Sequence, residues 1–200
     1  LPEHKGWYSR GYLPHRDEPG LLQMITFHLQ DRVPLHLLQS DAEPARDDEA
    51  RRALIESWLD QGWGACLLSD ARVAQIVEDS LLYGDGQSYT LLAWVVMPNH
   101  VHVLIKTFPG MPLDRVVGAW KGYTAKKVNA LLGRAGSLWR ADYHDRYIRD
   151  EEHLENVLLY IHGNPARAGL VEDAETWRFG SARRLPTGRS MWHDPFGNSD

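Results

Sequence analysis

Along these 200 residues the period of the apolar positions changes several times, and each change marks an element. Gly20–Gln30 alternates: Leu22, Met24, Thr26 and His28 share one face, while Leu21, Gln23, Ile25, Phe27 and Leu29 share the other. That two-residue repeat predicts a strand, and Pro34 close behind bars simple continuation. An acidic stretch over 41–50 offers Asp47 or Asp48 as a helix cap, and Ala50, Leu54, Ile55 and Trp58 predict a helix over Ala50–Leu59. From Asp70 to Leu82 the positions Ala71, Ala74, Ile76, Val77 and Leu81 form a helical stripe that Gly84-Asp85-Gly86 ends. Tyr89–Val96 and His100–Thr107 are apolar runs on either side of Met97-Pro98-Asn99, which predicts a strand hairpin.

The second half continues the alternation. Leu113–Leu132 reads as a helix closed by Gly133, with Val116, Val117, Trp120, Val128, Leu131 and Leu132 toward a core. Trp139–Arg149 has strand-like spacing. The acidic turn Asp150-Glu151-Glu152 then opens a helix over about Glu151–Gly163. Its stripe is Leu154, Val157, Leu158 and Ile161, and Asn164-Pro165 is expected to stop it. Residues 1–19 read as an extended arm and 171–200 as an irregular tail, which leaves 20–170 as one folded domain. The order β, α, (α), β, β, α, β, α predicts an α+β fold: a ferredoxin-like antiparallel sheet with helices packed against it.

Composition narrows the class. The single cysteine, Cys66, excludes an internal disulfide and a cysteine-built zinc cage, and fits a reducing compartment. No run approaches membrane-spanning length and the start carries no apolar signal core, so a cytoplasmic, nucleoid-associated protein without membrane contact is expected. The opening on Leu1 reads as a trimmed or engineered start. Eight tryptophans are many, and Trp94, Trp120, Trp139 and Trp177 fall in or beside elements, where packing is the default role. The formal charge of −5 is unevenly spread. Residues 1–90 hold 8 Lys+Arg against 15 Asp+Glu, whereas 111–150 hold 8 against 4. A local basic surface on an acidic chain suits a polyanion in one groove, although charge runs are most often solvated helix faces.

The chemistry starts at the hairpin. His100 and His102 are two residues apart on a strand, so their rings project from one face and make half of a metal site. Such pairs are also common on plain polar faces. Downstream, Tyr160 and Asn164 stand one helical turn apart on one face, which His153 and Asn156 extend. If that face looks at the imidazoles, two nitrogens and an amide oxygen can hold a divalent cation beside a phenol. A phenol with a pKa near ~10 is a poor nucleophile until a cation or base assists it.

With these pieces in place the chain resembles the single-tyrosine HUH transposases, most closely the REP-associated tyrosine transposases. The resemblance rests on Met97-Pro98-Asn99-His100-Val101-His102, on Trp120-Lys121-x-Tyr123-Thr124-Ala125-Lys126-Lys127, on Tyr147-Ile148-Arg149-Asp150-Glu151-Glu152-His153-Leu154 and on Tyr160-Ile161-x-x-Asn164-Pro165-x-x-Ala168-Gly169. The arm Ser9-Arg10-Gly11-Tyr12-Leu13-Pro14-His15 and Pro19-Gly20 fit the same branch. It implies that residues 20–170 are the catalytic domain, that His100, His102 and Asn164 hold Mg²⁺ or Mn²⁺, and that Tyr160 is the nucleophile. Asn164 replaces the Gln of the wider family and is one methylene shorter. Region 33–84 is longer than the minimal core. The resemblance also implies cleavage of single-stranded DNA at palindromic hairpin repeats through a 5′-phosphotyrosine, by a monomer or homodimer. Lys121, Lys126, Lys127, Arg146 and Arg149 are the expected DNA-binding cations, and Trp120 an expected stacking surface. Two other readings compete: a domesticated hairpin-DNA binder without productive cleavage, and a zinc hydrolase that adds His153 or His162 to the pair.

Overall fold

The computed structural model describes residues 3–9, 14–30 and 64–184. The expected helix Ala50–Leu59 lies outside them. In chain order the elements are β1 (Gly6–Ser9), β2 (Pro14–Asp17), β3 (Leu22–His28), α1 (Ala71–Tyr83), β4 (Tyr89–Val96), β5 (His100–Thr107), α2 (Leu113–Leu132), β6 (His144–Tyr147) and α3 (Glu151–Arg167). β1 and β2 pair with each other; β4, β5, β3 and β6 form, in that order, one antiparallel sheet. Strand and helix order and the central place of β3 and β5 are those of a ferredoxin-like β-α-β-β-α-β fold.

Alternation along β3 and β5 divides the core into two layers. Ile25, Phe27, Val101, Val103 and Ile105 pack with Val73, Val77 and Leu81 of α1 and with Val116, Val117 and Val128 of α2. Leu22, Met24 and Leu104 face the other way and pack with Leu154, Val157, Leu158 and Ile161 of α3. The sheet is thus a wall with α1 and α2 on one side and α3 on the other. β4 serves both sides through a register shift between Leu91 and Ala93, where a bulge changes the phase of alternation. Tyr89, Leu91, Trp94 and Val96 therefore face α1 and α2, while Ala93, Val95 and Met97 face α3.

Three expectations are corrected. β1 and β2 pair with each other and are fixed to the body rather than forming an extended arm. Pairing of Trp139–Arg149 is interrupted: Trp139 bridges Leu29 and Arg140 N donates to His28 O (3.0 Å), but a regular strand resumes only at His144. Third, α3 runs past Pro165 to Arg167. Proline removes one N–H and crowds the carbonyl four residues earlier. Here it falls in the final turn, where Ala168 N donates to Asn164 O and Leu170 N to Pro165 O (both 3.0 Å), so the helix completes that turn.

Both sheet edges are covered. Along β4, Val96 N donates to Phe179 O (2.8 Å), Ser181 N to Trp94 O (2.9 Å) and Trp177 Nε1 to Val96 O (3.1 Å). A Cβ at Gly180 would stand 3.3 Å from Trp94 O, which explains a glycine at this close approach. These contacts give part of the expected tail a packing role. Among the described residues no helix is long and apolar enough to cross a membrane.

The β6 edge is held through buried charge. His15 is fully buried; its Nδ1 bonds Asp145 Oδ1 and its Nε2 bonds Asp142 Oδ1 at 3.1 Å. Asp145 Oδ2 also accepts from Arg16 N (3.1 Å) and Gln23 Nε2 (3.2 Å). Burial alone would lower the His15 pKa, but the hydrogen bond to Asp145 and the charges of Asp145 and Asp142 outweigh it and raise it. The rings of Tyr8 and Tyr143 flank the imidazole, and burial pushes the Tyr8 phenol up to about 12, so Tyr8 does not compete as an anion at neutral pH.

A raised folded pKa means that His15 contributes its full stability below the unfolded value of about 6.5 and loses it as pH climbs through the folded value. The β1–β2 hairpin should therefore loosen as pH rises above neutrality, with faster amide hydrogen exchange at Trp7 and Tyr8. His15→Gln should lower global stability by about 3 kcal/mol, as expected for removing one member of a buried pair, and abolish this pH dependence. Equal protection factors at pH 6 and pH 9 in the wild type, with each rate divided by the intrinsic base-catalysed rate at that pH, would refute the anchoring role.

Candidate active site

β5 starts directly after the Met97-Pro98-Asn99 turn, and its first and third side chains face α3. In the antiparallel register His100 lies opposite His28, and His102 opposite Thr26, which in turn lies opposite His144 on β6. Directly opposed residues project from the same face. Four imidazoles therefore share the α3 side of the sheet, of which periodicity along one strand revealed two.

His100 and His102 are both fully buried, with Nε2 atoms 3.0 Å apart and rings nearly perpendicular at 75°. Each outer nitrogen has a partner: His100 Nδ1 donates to Asn99 Oδ1 (2.7 Å), and His102 Nδ1 lies 2.8 Å from Thr26 Oγ1. A hydroxyl donates or accepts as needed. Thr26 can thus serve a His102 whose Nε2 proton bridges to His100, or a His102 whose Nε2 lone pair is turned to a cation. Asn99 and Thr26 were not identified as site residues from the sequence, although the position of Asn99 in the turn was visible there.

Burial sets the charge state. It is the largest influence on His100, whose pKa falls well below the usual value, helped by the neighbouring His102 and His28. His102 is lowered to about 3 by burial, then by the charges of Arg167 and His144. His28 is lowered to about 4, again mainly by burial, with Arg140 next. At neutral pH the pair is uncharged, the form in which imidazole binds a metal. Ligands about 2.1 Å from one ion and at a right angle to each other lie roughly 3 Å apart, so the 3.0 Å spacing fits adjacent octahedral positions.

α3 supplies the remainder. Asp150 caps it, its carboxylate accepting from His153 N at 2.8 Å, and the apolar stripe presses it onto the sheet. The Tyr160 ring meets the His102 ring edge-on, centroids 5.1 Å apart. Asn164, one turn further along, is completely buried. The guanidinium of Arg167 lies 4.2 Å from the centre of the Tyr160 ring, and its Nη2 donates to Tyr160 O at 3.4 Å. Arg167 carried no signal in the sequence because Pro165 was expected to end the helix before it. Among the described residues no three His, Cys, Asp or Glu side chains gather into a metal site. His162 instead bonds Ser181 Oγ (2.9 Å), and His153 Nδ1 accepts from Arg149 N (3.3 Å), which disfavours a three-histidine zinc hydrolase.

The expected DNA-binding residues separate. Trp120 is a core residue: it is 4% exposed, stacks near Phe27, and its Nε1 donates to Tyr89 Oη at 2.8 Å. It offers no surface to a base. Lys126 and Lys127 are exposed on α2, across the sheet from the imidazoles, with Lys127 over the Tyr123 ring. Lys121 donates to Ala141 O (2.9 Å) and Asp142 O (3.2 Å), and its charge reaches His28. Arg146 lies opposite Met24 and so projects to the α3 side. Arg149 is exposed just before α3.

Comparison with known proteins bears on the fold. A curated protein of Haemophilus influenzae, provisionally named a REP-associated tyrosine transposase, is 25% identical over 126 residues, which cover 56% of this chain and 69% of that protein. A solved structure of a REP-associated tyrosine transposase bound to a REP hairpin shares the fold: the TM-score is 0.55 at 18% identity, over 88% of this chain and 82% of that one. Residues 72–164 match the family model described as transposase IS200 like, a span from α1 to the buried Asn164 that includes both imidazoles and Tyr160. The chain is thus similar to IS200-like transposases over residues 72–164 and shares the fold of a REP-associated tyrosine transposase.

Proposed function

We infer that this chain is a metal-dependent single-stranded DNA endonuclease and strand transferase, acting at palindromic hairpin repeats through a 5′-phosphotyrosine on Tyr160. The observation that carries the reading is the contact of Tyr160 with His102, whose Nε2 stands 3.0 Å from that of His100 in a buried, uncharged pair. A ring fixed against a ligand pair on one side and backed by a packed helix has the restricted geometry that in-line attack needs. The relative of known structure was bound to a REP hairpin, and DNA of that kind is the substrate assigned to this chain.

His100 and His102 through Nε2, and Asn164 through its amide oxygen, would hold Mg²⁺ or Mn²⁺. Such an ion, when bound, supplies Lewis-acid polarisation of a non-bridging oxygen of the scissile phosphate. Asn99 and Thr26 orient the two rings through their Nδ1 atoms. Tyr160 Oη forms a bond to phosphorus while the bond from phosphorus to the 3′ oxygen breaks. The phenol gives up its proton and the departing 3′ oxygen gains one, so the strand ends in a free 3′-OH and a 5′-phosphotyrosine. Attack by another 3′-OH reverses the exchange and rejoins a strand without an external energy source.

Tyr160→Phe removes one hydroxyl and keeps the ring, so it should retain stability and hairpin affinity while adduct formation falls to background. Peptide mapping of wild type after reaction with a hairpin oligonucleotide should find the modification on Tyr160. An adduct on Tyr123, Tyr143 or Tyr147, or full cleavage by the Phe variant, would falsify the assignment.

His100→Ala and His102→Ala should each abolish cleavage and weaken Mn²⁺ binding by about 10-fold or more, with DNA affinity little changed. Calorimetric titration with Mn²⁺ checks the first part apart from activity. Wild-type metal affinity in both variants would remove the pair from the site. A variant set that binds hairpins normally beside a wild type that never cleaves would favour the DNA-binding reading.

Binding should weaken steeply with salt. Arg146 projects on the imidazole side, so Arg146→Ala should reduce the log–log salt slope by about 0.7 to 0.9, one phosphate contact. Lys126→Ala with Lys127→Ala should leave the slope unchanged if the strand follows the α3 side. The opposite result would put the DNA on the α2 surface.

A further inference from the structure

The mechanism above makes no use of Arg167, the cation in contact with the Tyr160 ring. We propose that Arg167 is a catalytic residue that grips the phosphate under attack and then the 5′-phosphotyrosine. This rests on the reading of Tyr160 as nucleophile.

The geometry supports the role in three ways. The guanidinium lies over the ring, 4.2 Å from its centre. A guanidinium beside an aromatic ring is attracted to the π cloud and keeps N–H donors for other partners. A planar fork of N–H donors matches two oxygens of one phosphate. The helix also sets its place: Arg167 is seven residues beyond Tyr160, two turns along one helix face, and its Nη2 donates back to Tyr160 O at 3.4 Å. Finally, the same phenol ring touches His102, so one ring has the imidazole pair against it and this guanidinium over it.

The charge balance gives the cation a purpose. Lys126 and Lys127 are across the sheet, Arg146 projects from β6, and Arg167 lies against the Tyr160 ring itself. A phosphodiester gains negative charge on its oxygens as the phenolate bonds to phosphorus, and donors already aimed at those oxygens lower that barrier most. After the first step the same grip keeps the phosphotyrosine oriented until a 3′-OH arrives, which matters for an enzyme that must rejoin rather than hydrolyse. A methionine at 167 would keep the packing over the ring without the charge, and a lysine would keep the charge without the fork.

The test needs two measurements on Arg167→Met and Arg167→Lys, each first shown to melt like wild type. The first is metal-free. Hairpin oligonucleotides carrying either the natural phosphate or a neutral methylphosphonate at the cleaved position, located by sequencing the strand attached to Tyr160, are titrated in EDTA. Wild type should prefer the charged form by about 10-fold, Arg167→Met should show almost no preference, and Arg167→Lys should be intermediate, as a mutant cycle between the two groups requires. The second is single-turnover adduct formation with Mn²⁺. The Met variant should be slower by about 100-fold at unchanged hairpin affinity, with partial recovery in the Lys variant. If wild type forms the Tyr160 adduct and the Met variant matches it in rate and phosphate preference, the Arg167 role is overturned and the nucleophile stands. If wild type forms no adduct on Tyr160, the nucleophile reading fails and this role falls with it.

Discussion

Two imidazoles buried edge to edge set the terms for the rest of the molecule. Removing a polar ring from water costs several kcal/mol unless its nitrogens are bonded. Here each ring has one nitrogen bonded to a neighbouring side chain and the other turned to its twin. That arrangement depends on the turn, because Asn99 must accept from His100. It depends on β3, because Thr26 must lie opposite His102. It depends on α3, whose leucines and Ile161 exclude water from that face. The same exclusion holds both rings neutral, so the burial that would be a liability in an ordinary core makes them ready ligands.

Much of this could be read from the residue order. β4, β5 and α2 have the expected limits because each is a long run of one period closed by an unambiguous break: a Pro-Asn turn, a Pro-Gly loop or a C-terminal glycine. The two faces of β3 were also legible from strict alternation. What failed was local punctuation in tertiary context. Pro165 was read as a stop, yet the helix continues to Arg167 without the bond that an N–H at 165 would have given Ile161 O. The N-terminal segment looked like an arm because its residues are polar, and its polar residues are what hold it: His15 and Asp17 are completely buried by partners more than ninety residues away.

Cross-strand register was the other thing the sequence withheld. His28 and His144 are isolated histidines in one dimension and members of the site face in three, since register alone brings them opposite His100 and Thr26. Trp120 and the α2 lysines show the converse. They are neighbours in sequence, and they suggested one basic, aromatic groove. A helix distributes successive residues round its axis, so Trp120 enters the core while Lys126 and Lys127 remain in solvent on the far side of the sheet from Tyr160. Charge density along the chain was therefore no guide to which side of the sheet each cation occupies.

The division of labour between sheet and helix follows from these constraints. The imidazoles sit on a central strand, hydrogen-bonded on both sides and buried on both faces, within a sheet whose two edges are covered by the N-terminal hairpin and by residues 177–181. Such a strand is a stiff mount, suited to ligands whose spacing must hold within a few tenths of an ångström. Tyr160 sits on α3, which is held to the sheet by side-chain packing rather than backbone hydrogen bonds. A helix docked in this way can adjust along the sheet at lower cost than a strand can change register, because a register change breaks a whole ladder and reverses side-chain faces. The exchange proposed above, which first attaches one strand end to Tyr160 and later accepts another, would need a fixed site for the phosphate and an adjustable mount for the group that carries it. This fold separates those two requirements onto two kinds of element.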